Sequence, residues 1–107
     1  MGDYKTVRDQ LDLTGKNVVI TGGAGFLGLY FAMGIAEMGG LPILVDVDEL
    51  NTEKAAFTLK EKGFDAFGYA LDTCNSEMVV EIFSEIIKNH KRIDCLINAA
   101  AFAMKNL

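Results

Sequence analysis

The stretch NVVITGGAGFLG, residues 17–28, decides how the rest of the chain is read. Val18, Val19 and Ile20 follow Asn17 without a polar break, too continuous for a half-wet strand, so Asn17 to Ile20 predicts a strand buried in a parallel sheet. Thr21-Gly22-Gly23-Ala24-Gly25 then turns the chain into a helix expected from about Phe26 to Met38, apolar almost all round. Gly28 and Ala32, four apart, give that helix a small-residue face for close approach to a sheet, and Gly39 and Gly40 stop it. Each glycine of the loop has a mechanical use. The first permits a tight turn, the next lets backbone approach a pyrophosphate, and the last lets helix and strand pack closely. The pyrophosphate would sit on the helix N-terminus, where unpaired amides and the positive end of the dipole favour an anion.

Outward from the loop, apolar runs alternate with stretches of helical period, the pattern of an α/β fold built on a parallel sheet. Leu41 to Asp46 (LPILVD) is a second buried strand, with Pro42 tolerable at its start. Asp46 ends it 18 residues after Gly28, where a carboxylate can accept hydrogen bonds from ribose hydroxyls. Glu49 to Lys62 predicts a helix with Ala55, Ala56 and Leu59 inward, ended by Gly63. Phe64 to Leu71 is a third strand. Asn75 caps a further helix whose Val79, Ile82, Phe83, Ile86 and Ile87 share one buried stripe. Its basic end, Lys88, His90, Lys91 and Arg92, is expected to be solvated against the negative pole of the dipole. Ile93 to Ala101 (IDCLINAAA) is a fourth strand running into small residues.

Composition narrows the function classes. At 107 residues there is room for one domain, and 50% hydrophobic against 23% charged residues supports a packed core. A net charge of -5 argues against nucleic acid as a partner. The first ten residues hold no apolar segment of a secretory signal, so a cytoplasmic protein is expected. Val18 to Ala36 is 19 residues without a charge, but five are glycine and the run contains a turn, so no membrane association is expected. Cys74 and Cys95 fit no metal spacing and His90 is the only histidine, which leaves two free thiols and no zinc site.

A phosphate-binding P-loop needs Gly-Lys-Ser/Thr after its glycines, whereas this loop closes with Gly28-Leu29-Tyr30, which argues against an ATPase or GTPase. A methyltransferase also places an acid after its second strand and stays open on these residues alone. The run LTGKNVVITGGAGFLG, with Asp46, Leu71-Asp72-Thr73 and IDCLINAAA in order, resembles the short-chain dehydrogenase/reductase family from about Leu11 onward. The resemblance implies a Rossmann-type sheet of order 3-2-1-4 flanked by helices, an incomplete doubly wound fold, with residues 1–10 an extension and 11–107 the N-terminal half of a dinucleotide-binding domain. It implies Gly22, Gly25, Phe26 and Leu27 along the pyrophosphate and ribose, and Asp46 and the backbone of Val47 at the adenosine ribose. Asp72 and Thr73 would hold the adenine, with Asn98, Ala99 and Ala100 on the face beside it. Asp72 also reads simply as a cap before the helix at Asn75. Asp46 repels a 2′-phosphate and neither Val47 nor Ala24 supplies an arginine, so NAD is favoured over NADP.

The sequence departs from the family in two ways. Glycines at 22, 25 and 28 resemble the extended branch of sugar-nucleotide epimerases and dehydratases, while Leu96 to Ala101 resembles the Asn-Asn-Ala-Gly segment of the compact branch. The family's proton-transferring Tyr-x-x-x-Lys is absent: Tyr4 is followed at that spacing by Arg8, Tyr30 by Gly34 and Tyr69 by Thr73. The resemblance therefore implies the NAD-binding portion of an oxidoreductase interconverting a hydroxyl and a carbonyl, with its catalytic groups after Leu107 and no catalysis by these residues alone. A non-catalytic dinucleotide-binding module and a fragment of an extended-type enzyme are the other readings. A fourth strand left at a sheet edge is expected to self-associate or to pair with a C-terminal half.

Overall fold

The structure, a computed structural model, describes residues 5–100. Residues 1–4 of the expected extension, and Ala101 at the end of the expected fourth strand, lie outside that range. The order of elements is α1 (Val7–Leu11), β1 (Asn17–Thr21), α2 (Phe26–Glu37), β2 (Leu41–Asp46), α3 (Glu49–Glu61), β3 (Phe67–Ala70), α4 (Ser76–His90) and β4 (Cys95–Asn98). The strands form one parallel sheet of order β3-β2-β1-β4. This is the α/β, Rossmann-like arrangement expected, partial relative to a full doubly wound sheet.

The placement of the helices follows from strand geometry. Alternate side chains of a strand point to opposite faces, so Val18 and Ile20 pack with Leu44 under α2 and α3, while Val19 packs with Ile43 and Val45 under α4. The chain steps from β1 to β2 to β3 in one direction and then crosses back to the far side of β1. A right-handed crossover in that reversed direction puts α4 on the opposite face. β1 and β2 are thus covered on both sides and exclude water almost completely.

Each long helix has a local reason for its bounds. Asp48 and Asn75 cap α3 and α4, accepting from Asn51 and Met78 at 3.1 Å each. Ala55, Ala56 and Leu59 of α3 are buried as expected, with Thr52 beside them. In α2 the buried face is Gly28, Ala32, Ile35 and Ala36, the small-residue face read from the sequence. Its other side leaves Phe26, Leu27, Tyr30 and Phe31 exposed, which is why the helix looks apolar all round.

Several expectations need correction. The third strand is shorter than Phe64 to Leu71, because the Phe64 N–H still bonds the Leu59 carbonyl at 3.1 Å as part of the α3 end and pairing with β2 starts only at Phe67. The fourth strand spans only Cys95–Asn98, although Asp94 and Ala99 donate backbone bonds to Asn17 and Thr21 on either side of it. Ile87 is half-exposed, turned out of the stripe in which Ile86 alone is fully buried. The expected extension runs into a short helix, α1, opened by a reciprocal capping box between Thr6 and Asp9.

The basic end of α4 is not a uniformly solvated run either. The His90 ring packs edge-on to Phe67 at 4.6 Å between centroids, and its Nε2 lies 2.9 Å from the Tyr69 hydroxyl. Burial pushes the His90 pKa down. Arg92 pairs with Asp94 at 3.0 Å and donates to the Gly15 carbonyl. The Asn17 side chain donates to the carbonyls of His90 and Arg92, fastening this turn to the start of β1.

Candidate dinucleotide-binding site

The C-terminal ends of the strands meet at an open cleft of about 790 Å³, within the range of small-molecule sites. It lies beside the point where the chain leaves β1 for β2 on one side and returns to β4 on the other. This is the switch point at which parallel sheets bind ligands, because helix N-termini there diverge and leave a crevice.

The glycine loop forms one wall. Gly22 has φ +69°, a left-handed conformation that L side chains rarely adopt, and a Cβ on it would come within 2.8 Å of the Ala100 Cα. A Cβ on Gly28 would collide with the Gly22 carbonyl oxygen, so this glycine lets the first turn of α2 lie against the loop itself rather than directly against a strand. Gly25 is the N-cap of α2 and has no side chain to satisfy the helix amides. The result is a backbone cradle with free N–H groups, suited to a pyrophosphate.

Of the eleven residues expected at the site, ten line this cleft: Gly22, Gly25, Phe26 and Leu27 on one wall, Asp46 and Val47 at the end of β2, Asp72 and Thr73 after β3, and Ala99 and Ala100 after β4. The Asp46 carboxylate accepts from the Ala24 N–H at 3.0 Å and from the Val47 N–H at 2.8 Å. Asp72 borders the cleft, and its Oδ1 accepts from the Cys74 N–H at 2.9 Å in the turn leading to Asn75, which is itself the cap of α4.

Asn98 is the exception. Its Oδ1 accepts from the Thr21 hydroxyl at 2.5 Å, and it does not line the cleft. The same hydroxyl oxygen lies 3.4 Å from the Ala100 N–H, so Thr21 ties the end of β4 to β1 and sets Ala99 and Ala100 in place. That role of Thr21 was missed, since a threonine before a glycine turn carries no signal of a partner 77 residues away. Val45, Leu71, Cys74 and Gly28 also line the cleft. Each adjoins a motif read from the sequence, but only the packing shows which neighbours face inward.

Electrostatically the cleft is lined by two acids, Asp46 and Asp72, and by no arginine, lysine or histidine among the described residues. Phe26, 82% exposed, and the exposed Leu27 and Val47 supply apolar surface at its mouth. The described residues also contain no cluster of three groups fit to hold a metal ion, and no helix long and apolar enough to cross a membrane.

Comparison with known proteins agrees with this geometry. Residues 16–107 match the family described as short chain dehydrogenase. A relative from Bos taurus, short-chain dehydrogenase/reductase family 16C member 6, is 31% identical over 99 residues, covering 91% of this chain and 31% of its own length. Among solved structures, an NAD+-bound xylitol dehydrogenase superposes with a TM-score of 0.80 at 32% identity, over 84% of this chain and 35% of that one. An L-sorbose reductase from Gluconobacter frateurii complexed with NADPH gives 0.81 at 30% identity, over 88% and 36%. The chain spans about a third of the length of the relatives it matches.

Proposed function

Because this chain belongs to the short-chain dehydrogenase family, we propose that its residues 11–107 form the NAD-binding half of an oxidoreductase that interconverts a hydroxyl and a carbonyl. The observation that supports the cofactor choice is the lining of the cleft: Asp46 lines it at the end of β2, and no basic side chain among the described residues lines it to receive a 2′-phosphate. A ribose with two free hydroxyls can donate to that carboxylate, whereas a phosphate would repel it. Both NAD and NADP occur in structures of relatives, so this local chemistry is what favours NAD here.

The residues divide the work simply. The free amides of the first turn of α2, at Phe26 and Leu27, face the pyrophosphate beside Gly25, Asp46 and the backbone of Val47 lie at the ribose, and Asp72 and Thr73 border the adenine. Ala99 and Ala100 close the floor. The chemistry the dinucleotide supplies when bound is hydride transfer at its nicotinamide. Relatives named as dehydrogenases and reductases of polyols and keto sugars support a hydroxyl–carbonyl reaction. The 107 residues contain no Tyr-x-x-x-Lys, so the proton-transferring groups are assigned to polypeptide outside them, and no turnover by these residues alone is expected. β4, with no second neighbour among the described residues, is where that polypeptide or a second copy would pair. Two exposed free thiols fit a reducing, cytoplasmic setting.

Calorimetric titration of the chain with NAD and with NADP tests the proposal. Saturable binding of NAD, at least tenfold tighter than NADP, is expected. A folded chain that binds neither, or that prefers NADP, refutes it.

A further inference from the structure

Asp46 makes a contact that ribose recognition does not require. Three of the four residues at Gly22 to Gly25 are glycine, a composition with a high entropic cost of ordering, yet the loop must hold the first turn of α2 and its free amides in one place. Its internal tie is the Gly25 N–H to the Gly22 carbonyl at 3.0 Å. Two bonds fasten it to β2: the Gly23 N–H to the Val45 carbonyl at 3.2 Å, and the Ala24 N–H to Asp46 Oδ2 at 3.0 Å. The second is charge-assisted and therefore the stronger kind. Asp46 Oδ1 meanwhile accepts from Val47 at 2.8 Å, which fixes the carboxylate plane. A carboxylate has about four acceptor positions. These two bonds occupy one on each oxygen, and one on each remains for the two ribose hydroxyls.

We infer that Asp46 is a positioning residue for the glycine loop as well as a ribose ligand: its carboxylate holds Ala24, and through it the Gly25 cap of α2, by a bond that does not depend on the ribose. The functional meaning of this inference rests on the dinucleotide reading above. It couples two properties usually altered separately. Removing the acid to admit a 2′-phosphate also unties the loop that must hold the pyrophosphate, so cofactor preference cannot be reversed at Asp46 without loss at the other half of the site.

The test uses the full chain in two arms. In the first, amide hydrogen exchange is followed by NMR without ligand. Asp46→Ala is expected to speed exchange at Ala24 on the order of tenfold or more, the scale of a lost hydrogen bond to a charged group, with β1 amides unchanged. In the second, calorimetry compares NAD with its 2′,3′-dideoxyadenosine analogue, which lacks the hydroxyls that Asp46 would bind. A pure ribose ligand predicts that the analogue binds Asp46→Ala as well as wild type, or better, since a negative charge near the pyrophosphate is gone. A positioning role predicts that the analogue also binds the variant several-fold more weakly.

Unchanged exchange at Ala24, or undiminished binding of the analogue, overturns the inference. Should Asp46→Ala not fold, Asp46→Asn replaces it. Its single acceptor oxygen serves Ala24 or Val47, so exchange must rise at one of these amides, and a rise at neither overturns the inference. A wild-type chain that binds neither nucleotide defeats the dinucleotide reading, while exchange at Ala24 still decides whether Asp46 holds the loop.

Discussion

Gly28→Ala and Gly34→Ala place the same methyl group on the same helix with opposite expected results. Both gain helix propensity of about 1 kcal/mol. At Gly34 an added Cβ meets nothing within 4 Å, so the gain is realised in full and the melting temperature should rise by about 4–8 °C, with NAD affinity unchanged. At Gly28 the Cβ would overlap the Gly22 carbonyl oxygen and lie 2.9 Å from the Gly23 Cα. These are backbone atoms, which cannot swing aside as a side chain would. Overpacking of this kind typically costs about 1–3 kcal/mol, so after the propensity gain the net loss of stability is about 0–2 kcal/mol. The loop relieves the clash by moving away from the first turn of α2, which spoils at least one amide bond to the pyrophosphate. A hydrogen bond to a charged group contributes about 1.5–3 kcal/mol, so NAD affinity should fall about 10- to 150-fold. Thermal melts and calorimetric titrations of the three proteins give both quantities. Gly28→Ala binding NAD like wild type, or Gly34→Ala losing affinity, refutes the reasoning that the glycine loop and its packing on α2 form the pyrophosphate site.

Other perturbations follow from the same contacts. Acid should destabilise the fold: burial lowers the His90 pKa, so the unfolded chain takes up this proton at a higher pH, and stability falls as pH drops below the ordinary histidine value of 6.5. Asp94, whose pKa is held down first by the Asn17 N–H, adds a further loss at lower pH, where its carboxylate is protonated. His90→Gln should flatten the first part of a plot of unfolding midpoint against pH and Asp94→Asn the second, and stability that rises on acidification contradicts both. Thr21→Val keeps the side-chain shape but removes the bond to Asn98, at about 0.5–1.5 kcal/mol, and should loosen Ala99 and Ala100. Denaturant melts with exchange at those two amides read it out, and unaltered exchange there rules out the tether. Leu96, 53% exposed on β4, should support association through that strand. Sedimentation over a dilution series should show assembly that Leu96→Lys weakens, and a wild-type monomer at every concentration removes the edge-pairing proposal.

Residues 17–28 and Asp46 carry enough information to read the fold and most of the site directly. Runs such as Val18 to Ile20 and Ile43 to Val45 have no polar residue to face water, so a doubly covered parallel strand is their only stable environment. Glycines 22, 25 and 28 are legible for a similar reason: their spacing reflects short-range backbone geometry, which neighbouring residues dictate. The same holds for the caps at Asp48 and Asn75, whose partners lie three residues away. The extent of β3 was not legible, because pairing with Ile43 and not local propensity sets where Phe67 joins the sheet. Nor was the partial burial of His90, which reads as one cation in a basic run until the end of α4 docks over Phe67 and Tyr69. Asn98 reads as part of the cofactor face, yet the parallel register opposite Thr21 turns it to a structural bond. The tie from Ala24 to Asp46 joins a loop to a strand end 22 residues on. Local chemistry is written in neighbouring residues, whereas these pairings arise only when strands align in register and helices settle on them, so the assembled sheet had to supply them.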